Sequence, residues 1–329
     1  MTKALLPIGM VLPTLNARRV LPQHLAELRT WADCIPEIIV VDSHSTDGTV
    51  EFIQDQIRHP GLRIVQHPRG LYESWNFGVR QVTAEFTYIS TAGDAITLAG
   101  LKHLLEVAQS FRSDVVVSPP IFQKPEGEVM EGKQWRIHQY LEARAITQPA
   151  LIPNSHWFLT AVFAGLSGLM GSSASNLYRT SMLTARPFPT RFGHNGDTAW
   201  GVANAFDVRF ALSPERCARF LLHPGAGHVS QEDALQQERD VMQLARDTLR
   251  EALRRRTAPP AAEAFWQIMD EFVPLRERER LTDLAYYDGR GRPFPWFLRP
   301  GTWRARRERD RCRAAIRRLW QQSLAQFSF

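Results

Sequence analysis

Short apolar runs alternate with amphipathic stretches over the first third of the chain. Apolar runs at 8–15, 37–42, 62–67 and 85–90 have the length and composition of strands, and each is followed by apolar residues at helical spacing. The clearest of these stretches predicts a helix over 98–111. Strands that alternate with helices predict an α/β fold, with a mainly parallel sheet and helices on both of its faces.

The alternation stops near residue 121, and the rest of the chain has a different pattern. Beyond Ser230 the chain is mostly helical by pattern and rich in arginine. Between these two points the pattern predicts helices and short strands without regular alternation, the helices over 135–147 and 156–170 and the strands over 208–213 and 218–223.

Composition limits the kinds of partner and compartment. Hydrophobic residues make up 44% of the 329 residues, charged residues 22%, and the net charge is +6. A basic chain of this kind suits a phosphorylated, polyanionic or membrane-surface partner. Three widely spaced cysteines argue against a disulfide framework or a cysteine-based zinc cluster and fit a reducing, cytoplasmic compartment. We expect no signal peptide, and the most apolar window, 157–171, is shorter than the ~20 residues that cross a membrane.

Polar residues follow the predicted strands at the point where each strand ends. In parallel sheets ligands bind beyond the carboxyl ends of the strands. We therefore expect one binding edge, formed by the segments Thr14–Asn16, Asp42–Ser45, His67–Arg69 and Thr91–Asp94.

Three ordered motifs connect this edge to a known family. PTLN (13–16), VVDSHSTDGT (40–49) and GLYESWNFGVRQVTAEFTYISTAGDAIT (70–97) resemble, in order and spacing, the motifs of inverting glycosyltransferases of family 2, which have the GT-A fold. The resemblance covers about residues 8–230. It implies a catalytic domain over 1–230, with a nucleotide-binding half at 1–120 and an acceptor half at 121–230. Residues 231–329 then form a helical, basic C-terminal extension.

The resemblance also implies functions for single residues. Asp42 is expected to hold the nucleotide, Asp94 the metal and diphosphate, and Asp197 is expected to act as the catalytic base. The full set expected to bind the nucleotide sugar is Pro13, Thr14, Asn16, Asp42, Ser45, Arg69, Asn76, Gly93 and Asp94.

The expected metal is Mn²⁺ or Mg²⁺, and Asp94 is the expected carboxylate ligand. Many family members carry D-x-D where this chain has TAGD, with a single acid. One carboxylate is sufficient for Mg²⁺ when substrate phosphates supply further oxygens. The resemblance adds His228, near Ser230, as a second ligand, with His223 as the alternative. A simple helix-start function for Asp94 stays open.

The proposed base lies in HNGDTAW (194–200), where the family usually has an E-D pair at the start of a helix. Asp197 matches the aspartate, and Gly196 replaces the glutamate. In an inverting transfer, a base removes the proton of the attacking hydroxyl on the face opposite the leaving group. An N-cap function for Asp197 is the alternative, and one residue can serve both purposes.

The expected partners are a nucleotide-sugar donor and a saccharide acceptor, or a lipid-linked one. The tail carries apolar residues at helical spacing from Cys312 on, among many arginines. Such a helix either lies on an anionic membrane surface or packs on the catalytic domain, and both alternatives stay open. No nucleic-acid-binding motif accompanies it, so nucleic acid is not an expected partner.

Two other functions stay open from sequence. One is nucleotidyl transfer on a similar sheet, although PTLNARRV lacks the glycines of a phosphate-binding loop. The other is a non-enzymatic protein that binds a sugar or nucleotide, because TAGD and NGD are each one acid short of the commoner motifs.

Overall fold

The computed structural model describes residues 5–163, 169–222, 231–255, 259–290 and 300–326, which form a mixed α/β fold. The strands are β1 Ile8–Thr14, β2 Glu37–Asp42, β3 Leu62–Gln66, β4 Phe86–Ile89, β5 Ala95–Ile96, β6 Val115–Val117, β7 Ile121–Gln123, β8 Ala150–Leu151, β9 Asn176–Arg179, β10 Phe210–Leu212 and β11 Ala218–Leu221. The helices are α1 Leu21–Arg29, α2 Thr49–Gln56, α3 Leu71–Val79, α4 Leu98–Phe111, α5 Arg136–Ala143, α6 Asn154–Phe163, α7 Thr180–Ala185, α8 Gly196–Ala203, α9 Gln231–Arg255, α10 Pro259–Arg290 and α11 Pro300–Gln326.

The main sheet has eight strands in the order β3-β2-β1-β4-β9-β6-β10-β8. The β1–β2, β1–β4, β2–β3 and β6–β10 pairs are parallel, which confirms the predicted mainly parallel sheet. Strand β9 lies between β4 and β6 and is antiparallel to both. The sequence pattern did not predict this strand.

Both faces of the sheet are covered by helices because neighbouring residues of the inner strands point to opposite sides. In β2, Ile39 and Val41 belong to one buried hydrophobic cluster, and Ile38 and Val40 belong to the other. Helices α3, α6 and α8 contribute to the first cluster, and α1 and α4 contribute to the second. A continuous run of β-branched residues therefore serves a strand that is buried on both faces.

Helix α4 has the bounds that the sequence pattern predicts. Leu101, Leu104 and Leu105 are buried on one of its faces. Thr97 is the N-cap of the helix, and its hydroxyl oxygen accepts a hydrogen bond from the backbone N–H of Gly100 at 3.1 Å. This capping bond satisfies one of the first N–H groups of the helix, so the Asp94 carboxylate does not act as the cap of α4.

A small second sheet holds β11 next to the main sheet. Its three strands have the order β5-β11-β7, with β11 antiparallel to β5 and parallel to β7. Strand β5 follows Asp94 directly, so the end of β11 lies beside the carboxyl end of β4.

Helices α9, α10 and α11 form the predicted helical C-terminal region. The apolar residues Ile316, Leu319 and Trp320 of α11 are buried in the same cluster as α6. The indole N–H of Trp320 donates to the hydroxyl oxygen of Thr160 in α6 at 3.3 Å. The apolar stripe thus packs on the protein, which favours the packing alternative for this helix, and membrane contact stays a prediction.

In the described part of the chain, none of the helices combines the length and the apolar character that a membrane crossing requires.

Candidate functional site

A cleft of about 680 Å³ opens beyond the carboxyl ends of β1, β2 and β4. Its walls come from the strand ends, from α3, from the turn that precedes β9, from the start of α8 and from the end of β11. The lining residues are Pro13, Thr14, Leu15, Ser43, Arg69, Gly70, Leu71, Tyr72, Ser74, Trp75, Thr91, Ala92, Asp94, Gly171, Ser172, Ser173, His194, Asp197, Phe220 and Leu221. Pro13, Thr14, Arg69, Asp94 and Asp197 were among the residues predicted from sequence.

Asp42 is completely buried beneath the cleft at the end of β2. Its carboxylate accepts hydrogen bonds from the hydroxyl of Thr14 at 2.9 Å and from the hydroxyl and backbone N–H of Ser45 at 2.6 and 2.9 Å. Three donors of the protein thus hold the carboxylate in place. Asp42 and Ser45 do not line the cleft in this arrangement, and Asp42 orients Thr14, which does.

Asn16 connects the two loops on either side of this carboxylate. Its backbone N–H donates to the hydroxyl oxygen of Ser45 at 2.8 Å, and its side-chain oxygen accepts from the backbone N–H of Thr46 at 2.9 Å. Asn16 also has a positive φ of 47°, a conformation that asparagine adopts more readily than most residues. The residue therefore shapes the loop and lies outside the lining of the cleft.

Asp94 joins three segments of the chain at the end of β4. One carboxylate oxygen accepts from the hydroxyls of Thr91 at 2.7 Å and Ser172 at 3.0 Å, and the other accepts from the backbone N–H of Leu221 at 2.9 Å. The side chain is 5% exposed. A carboxylate with three hydrogen-bond donors and a position on the cleft is suited to anchor a ligand at a defined point.

Gly93 has a φ of +101°, which disfavours every residue except glycine. A Cβ at this position would lie 3.1 Å from Leu221 Cδ2. Gly93 faces β11 and does not line the cleft, so the glycine is required by the turn and by the close approach of β11.

The chemistry of these residues suits a hard divalent cation. The side-chain atoms around Asp94 are carboxylate and hydroxyl oxygens, the ligand type that Mg²⁺ and Mn²⁺ prefer. Asp94 and Asp197 are the acidic side chains in the lining formed by described residues. The predicted ligand His228, like its alternative His223, lies outside the described residues.

Asp197 lies in the first turn of α8. Its carboxylate accepts from the backbone N–H of Thr198 at 2.6 Å. Burial raises the pKa of Asp197 to about 6, and hydrogen bonds from Thr198 and from the Tyr72 hydroxyl oppose this rise. The Tyr72 hydroxyl also donates to the backbone oxygen of His194 at 3.0 Å. An aspartate with a pKa near 6 is mostly ionised at pH 7 and is a stronger base than an ordinary aspartate.

Gly196 occupies the place of the glutamate in the usual E-D pair. A Cβ at Gly196 would lie 2.4 Å from the ring of Tyr72 and 2.7 Å from the backbone oxygen of Pro189. The ring of Tyr72 fills the space that a side chain at 196 needs. This close packing explains the glycine in physical terms and brings the Tyr72 hydroxyl to Asp197.

Asn76 is fully engaged within the protein. Its side-chain amide donates to the backbone oxygen of Phe188 at 2.8 Å and accepts from the backbone N–H of Phe188 at 2.9 Å. This pair of bonds fastens α3 to the segment before α8. Asn76 does not line the cleft, and its contact with the donor stays a prediction.

Trp75 lies in α3 and is almost completely buried. Its ring packs edge-on against Phe188 at 5.3 Å between centroids, and its side chain lines the cleft. The indole N–H is buried and has no hydrogen-bond partner among the described residues. A buried N–H without a partner costs free energy.

The sequence did not predict Ser172, Ser173, His194 or Phe220 as site residues. Ser172 hydrogen-bonds Asp94 although it lies far along the chain, in a short turn before β9. Nothing in a Gly-Ser-Ser run signals such a contact, because it depends on the unpredicted position of β9 next to β4.

Comparison with known proteins gives a family and a fold. Residues 10–166 match the family described as "Glycosyl transferase family 2". The crystal structure of S. aureus TarS 1-349 is similar, with a TM-score of 0.53 and 16% identity, over 96% of this chain and 91% of that one. S. aureus TarS itself gives a TM-score of 0.52 and 16% identity, over 94% of this chain and 54% of that one. No curated protein matches in sequence.

Proposed function

We propose that this chain, whose residues 10–166 match glycosyl transferase family 2, is a glycosyltransferase that moves a sugar from a nucleotide-sugar donor to an acceptor hydroxyl with inversion. The observation that carries the proposal is a single cleft at the strand ends that holds two carboxylates, Asp94 and Asp197, in different surroundings. Two carboxylates in different environments take different functions in one reaction.

Asp197 acts as the general base. Its pKa of about 6, raised by burial, leaves it ionised at neutral pH and basic enough to accept the proton of an acceptor hydroxyl. The proton moves to a carboxylate oxygen as the hydroxyl oxygen attacks the anomeric carbon. The bond between that carbon and the diphosphate breaks on the opposite face.

The donor diphosphate binds on the side of Asp94. Arg69 offers a positive charge there that suits phosphate oxygens. The hydroxyl protons of Thr14 and Thr91 are donated to Asp42 and Asp94, so these two residues present hydroxyl oxygens to the cleft. Asp42 and Ser45 support this surface from below, because they fix the Thr14 side chain.

A divalent cation fits the oxygen-rich surroundings of Asp94. Asp94 would hold it together with phosphate oxygens of the donor, and His228 stays the predicted second protein ligand. Such a cation neutralises charge on the leaving diphosphate.

The acceptor is a saccharide, and residues 121–230 shape its site. A lipid-linked saccharide is the more specific alternative, and the basic residues of the extension over 231–329 favour it by their charge. This alternative predicts a cytoplasmic enzyme bound peripherally to the membrane.

Replacement of the proposed base tests the reaction. Asp197→Asn keeps the shape of the side chain and is expected to lower kcat by about 10²–10⁴-fold, because the amide accepts no proton. Asp247→Asn, an exposed position on α9, is the matched control and is expected to leave kcat unchanged. Transfer is measured with UDP-, GDP- and dTDP-sugars in Mn²⁺ or Mg²⁺, and the anomeric configuration of the product is read by NMR.

Each outcome has a definite meaning. Unchanged kcat in the folded Asp197→Asn protein contradicts the base assignment, and retained configuration in the product contradicts inversion. Donor binding without transfer in the wild type supports the non-enzymatic alternative.

A further inference from the structure

A second group of potential metal ligands lies outside the cleft. His103 projects from α4, and Glu215 and Cys217 lie in the connection between β10 and β11. One ligand atom from each residue lies within 4.8 Å of the other two. None of the three side chains lines the cleft that holds Asp94 and Asp197.

The spacing of these atoms matches the ligand shell of zinc. His103 Nδ1 lies 3.5 Å from a carboxylate oxygen of Glu215. Two ligands that are each about 2.1 Å from a tetrahedral zinc ion are about 3.4 Å apart. The imidazole and the carboxylate therefore need almost no movement, and the thiol needs to approach by about 1 Å at most.

The hydrogen bonds around His103 and Glu215 also fit a metal site. Ser213 is completely buried, and its hydroxyl oxygen lies 2.7 Å from His103 Nε2. A His103 ring with its proton on Nε2 donates to this oxygen, which leaves Nδ1 available to a cation. Metal-bound histidines usually donate their other ring N–H in this way. Ser213 also accepts from the backbone N–H of Glu215 at 3.1 Å and so orders the connection.

Burial raises the pKa of the Cys217 thiol to about 11, so the thiol keeps its proton at neutral pH when no cation is bound. A bound cation favours the thiolate, and the proton passes to solvent. The Glu215 side chain is 62% accessible, so a cation from solvent can meet this ligand first.

We propose that His103, Glu215 and Cys217 bind one zinc ion, with water as the fourth ligand. A thiolate, an imidazole and a carboxylate together select zinc over the hard cations expected at Asp94. The site uses one cysteine, so it agrees with a sequence that lacks a cysteine cluster.

The zinc ion would fasten α4 to the start of β11. Cys217 directly precedes β11, and the other end of this strand supplies the backbone N–H that hydrogen-bonds Asp94. Gly100 of α4 already packs closely on Cys217, since a Cβ there would lie 2.6 Å from the Cys217 backbone oxygen. A zinc ion here would connect these two elements, and the site is independent of the proposed transfer reaction.

Cobalt titration of the full chain, after removal of metal with a chelator, tests the site. Co²⁺ is expected to bind with one equivalent at this site and to give a thiolate-to-cobalt charge-transfer band with the intense visible absorption of tetrahedral cobalt. Zn²⁺ is expected to abolish both signals. The Cys217→Ser variant is expected to lose the charge-transfer band, and Cys312→Ser, which removes another buried thiol, is expected to keep it.

Two further variants keep the test decisive. Glu215→Gln changes an exposed side chain and is expected to weaken cobalt binding at least tenfold without unfolding the protein. Asp94→Asn is expected to leave the charge-transfer band intact, because Asp94 belongs to the cleft. The proposal is overturned if no thiolate band forms, if the band persists in Cys217→Ser, or if Glu215→Gln binds cobalt as tightly as the wild type.

Discussion

The contact between Tyr72 and Asp197 makes a quantitative prediction about the pH dependence of transfer. Tyr72 is buried, and its hydroxyl has one proton and two acceptors, the His194 backbone oxygen and the Asp197 carboxylate. Burial raises the pKa of Tyr72 well above its usual value, so the hydroxyl stays protonated throughout the working range. Tyr72→Phe keeps the ring that packs on Gly196 and removes a donor that favours the ionised form of Asp197.

The expected effect is a shift of the acid limb of the pH profile. A hydrogen bond to a charged group contributes about 1.5–3 kcal/mol, and about 1.4 kcal/mol corresponds to a tenfold change in proton affinity. Because the hydroxyl is shared, we take the lower limit and expect the limb to move up by about one pH unit. The base works only when ionised, so activity falls as the pH decreases through the pKa of Asp197.

The magnitudes follow from the ionised fraction of Asp197. With a pKa of about 6, about half of the wild type is active at pH 6, against about one tenth of the variant. We therefore expect kcat/KM to fall about fivefold at pH 6 and less than twofold at pH 8.

The assay is kcat/KM for transfer, measured from pH 5 to about 9 with whichever UDP-, GDP- or dTDP-sugar the wild type uses as donor. Tyr140→Phe is the matched control, because its hydroxyl hydrogen-bonds His156 away from the cleft, and its acid limb is expected to stay in place. An unmoved acid limb in Tyr72→Phe, or an equal loss at every pH, refutes the reasoning.

Three further predictions concern stability and are measured by denaturant unfolding. Asn76→Ala removes both bonds to the backbone of Phe188 and is expected to cost about 2–3 kcal/mol; a loss below about 0.5 kcal/mol contradicts the fastening function. Trp320→Ala leaves a cavity under α11 and is expected to lower the free energy of unfolding by about 3–5 kcal/mol. Its control is Trp303→Ala, at a half-exposed position, which should change that free energy by less than about 1 kcal/mol. Equal losses in the two variants contradict the packing of this helix. Gly93→Ala meets a positive φ and a side chain 3.1 Å away, and we expect a loss of about 1–3 kcal/mol; an unchanged or higher stability contradicts the requirement for glycine.

The sequence predicted the elements whose pattern is long and regular. Helix α4 has the predicted ends because its apolar residues recur at helical spacing, and β2 coincides with its predicted range because it contains a continuous run of β-branched residues. The sequence did not predict the strand β9. It has four residues and starts with Asn176, a buried polar residue whose amide bonds the Met170 backbone oxygen and the Tyr178 hydroxyl. A polar residue that is buried in this way gives no strand signal in sequence.

The sequence likewise predicted some features of the site and not others. The motifs predicted that Thr14 and Asp94 would lie at one edge of the sheet and that Asp197 would lie across the pocket from them, and all three line one cleft. Motifs do not distinguish a residue that contacts a ligand from one that holds the loop beneath it. Asp42 and Asn16 have polar side chains at the expected places, yet those side chains bond neighbouring loops. Only the three-dimensional arrangement separates these two functions.

The antiparallel strand β9 has a consequence for folding during synthesis. The strands β1 to β4 and the strand β6 precede it in the chain, but β9 pairs with both β4 and β6 and completes the sheet between them. Until Asn176–Arg179 leaves the ribosome, β4 and β6 each present an unpaired edge, and such edges promote association between chains. The nascent protein therefore passes through a stage in which β1 to β4 and β6 have been synthesised without the strand that joins them, and we expect chaperone binding to be strongest at that stage.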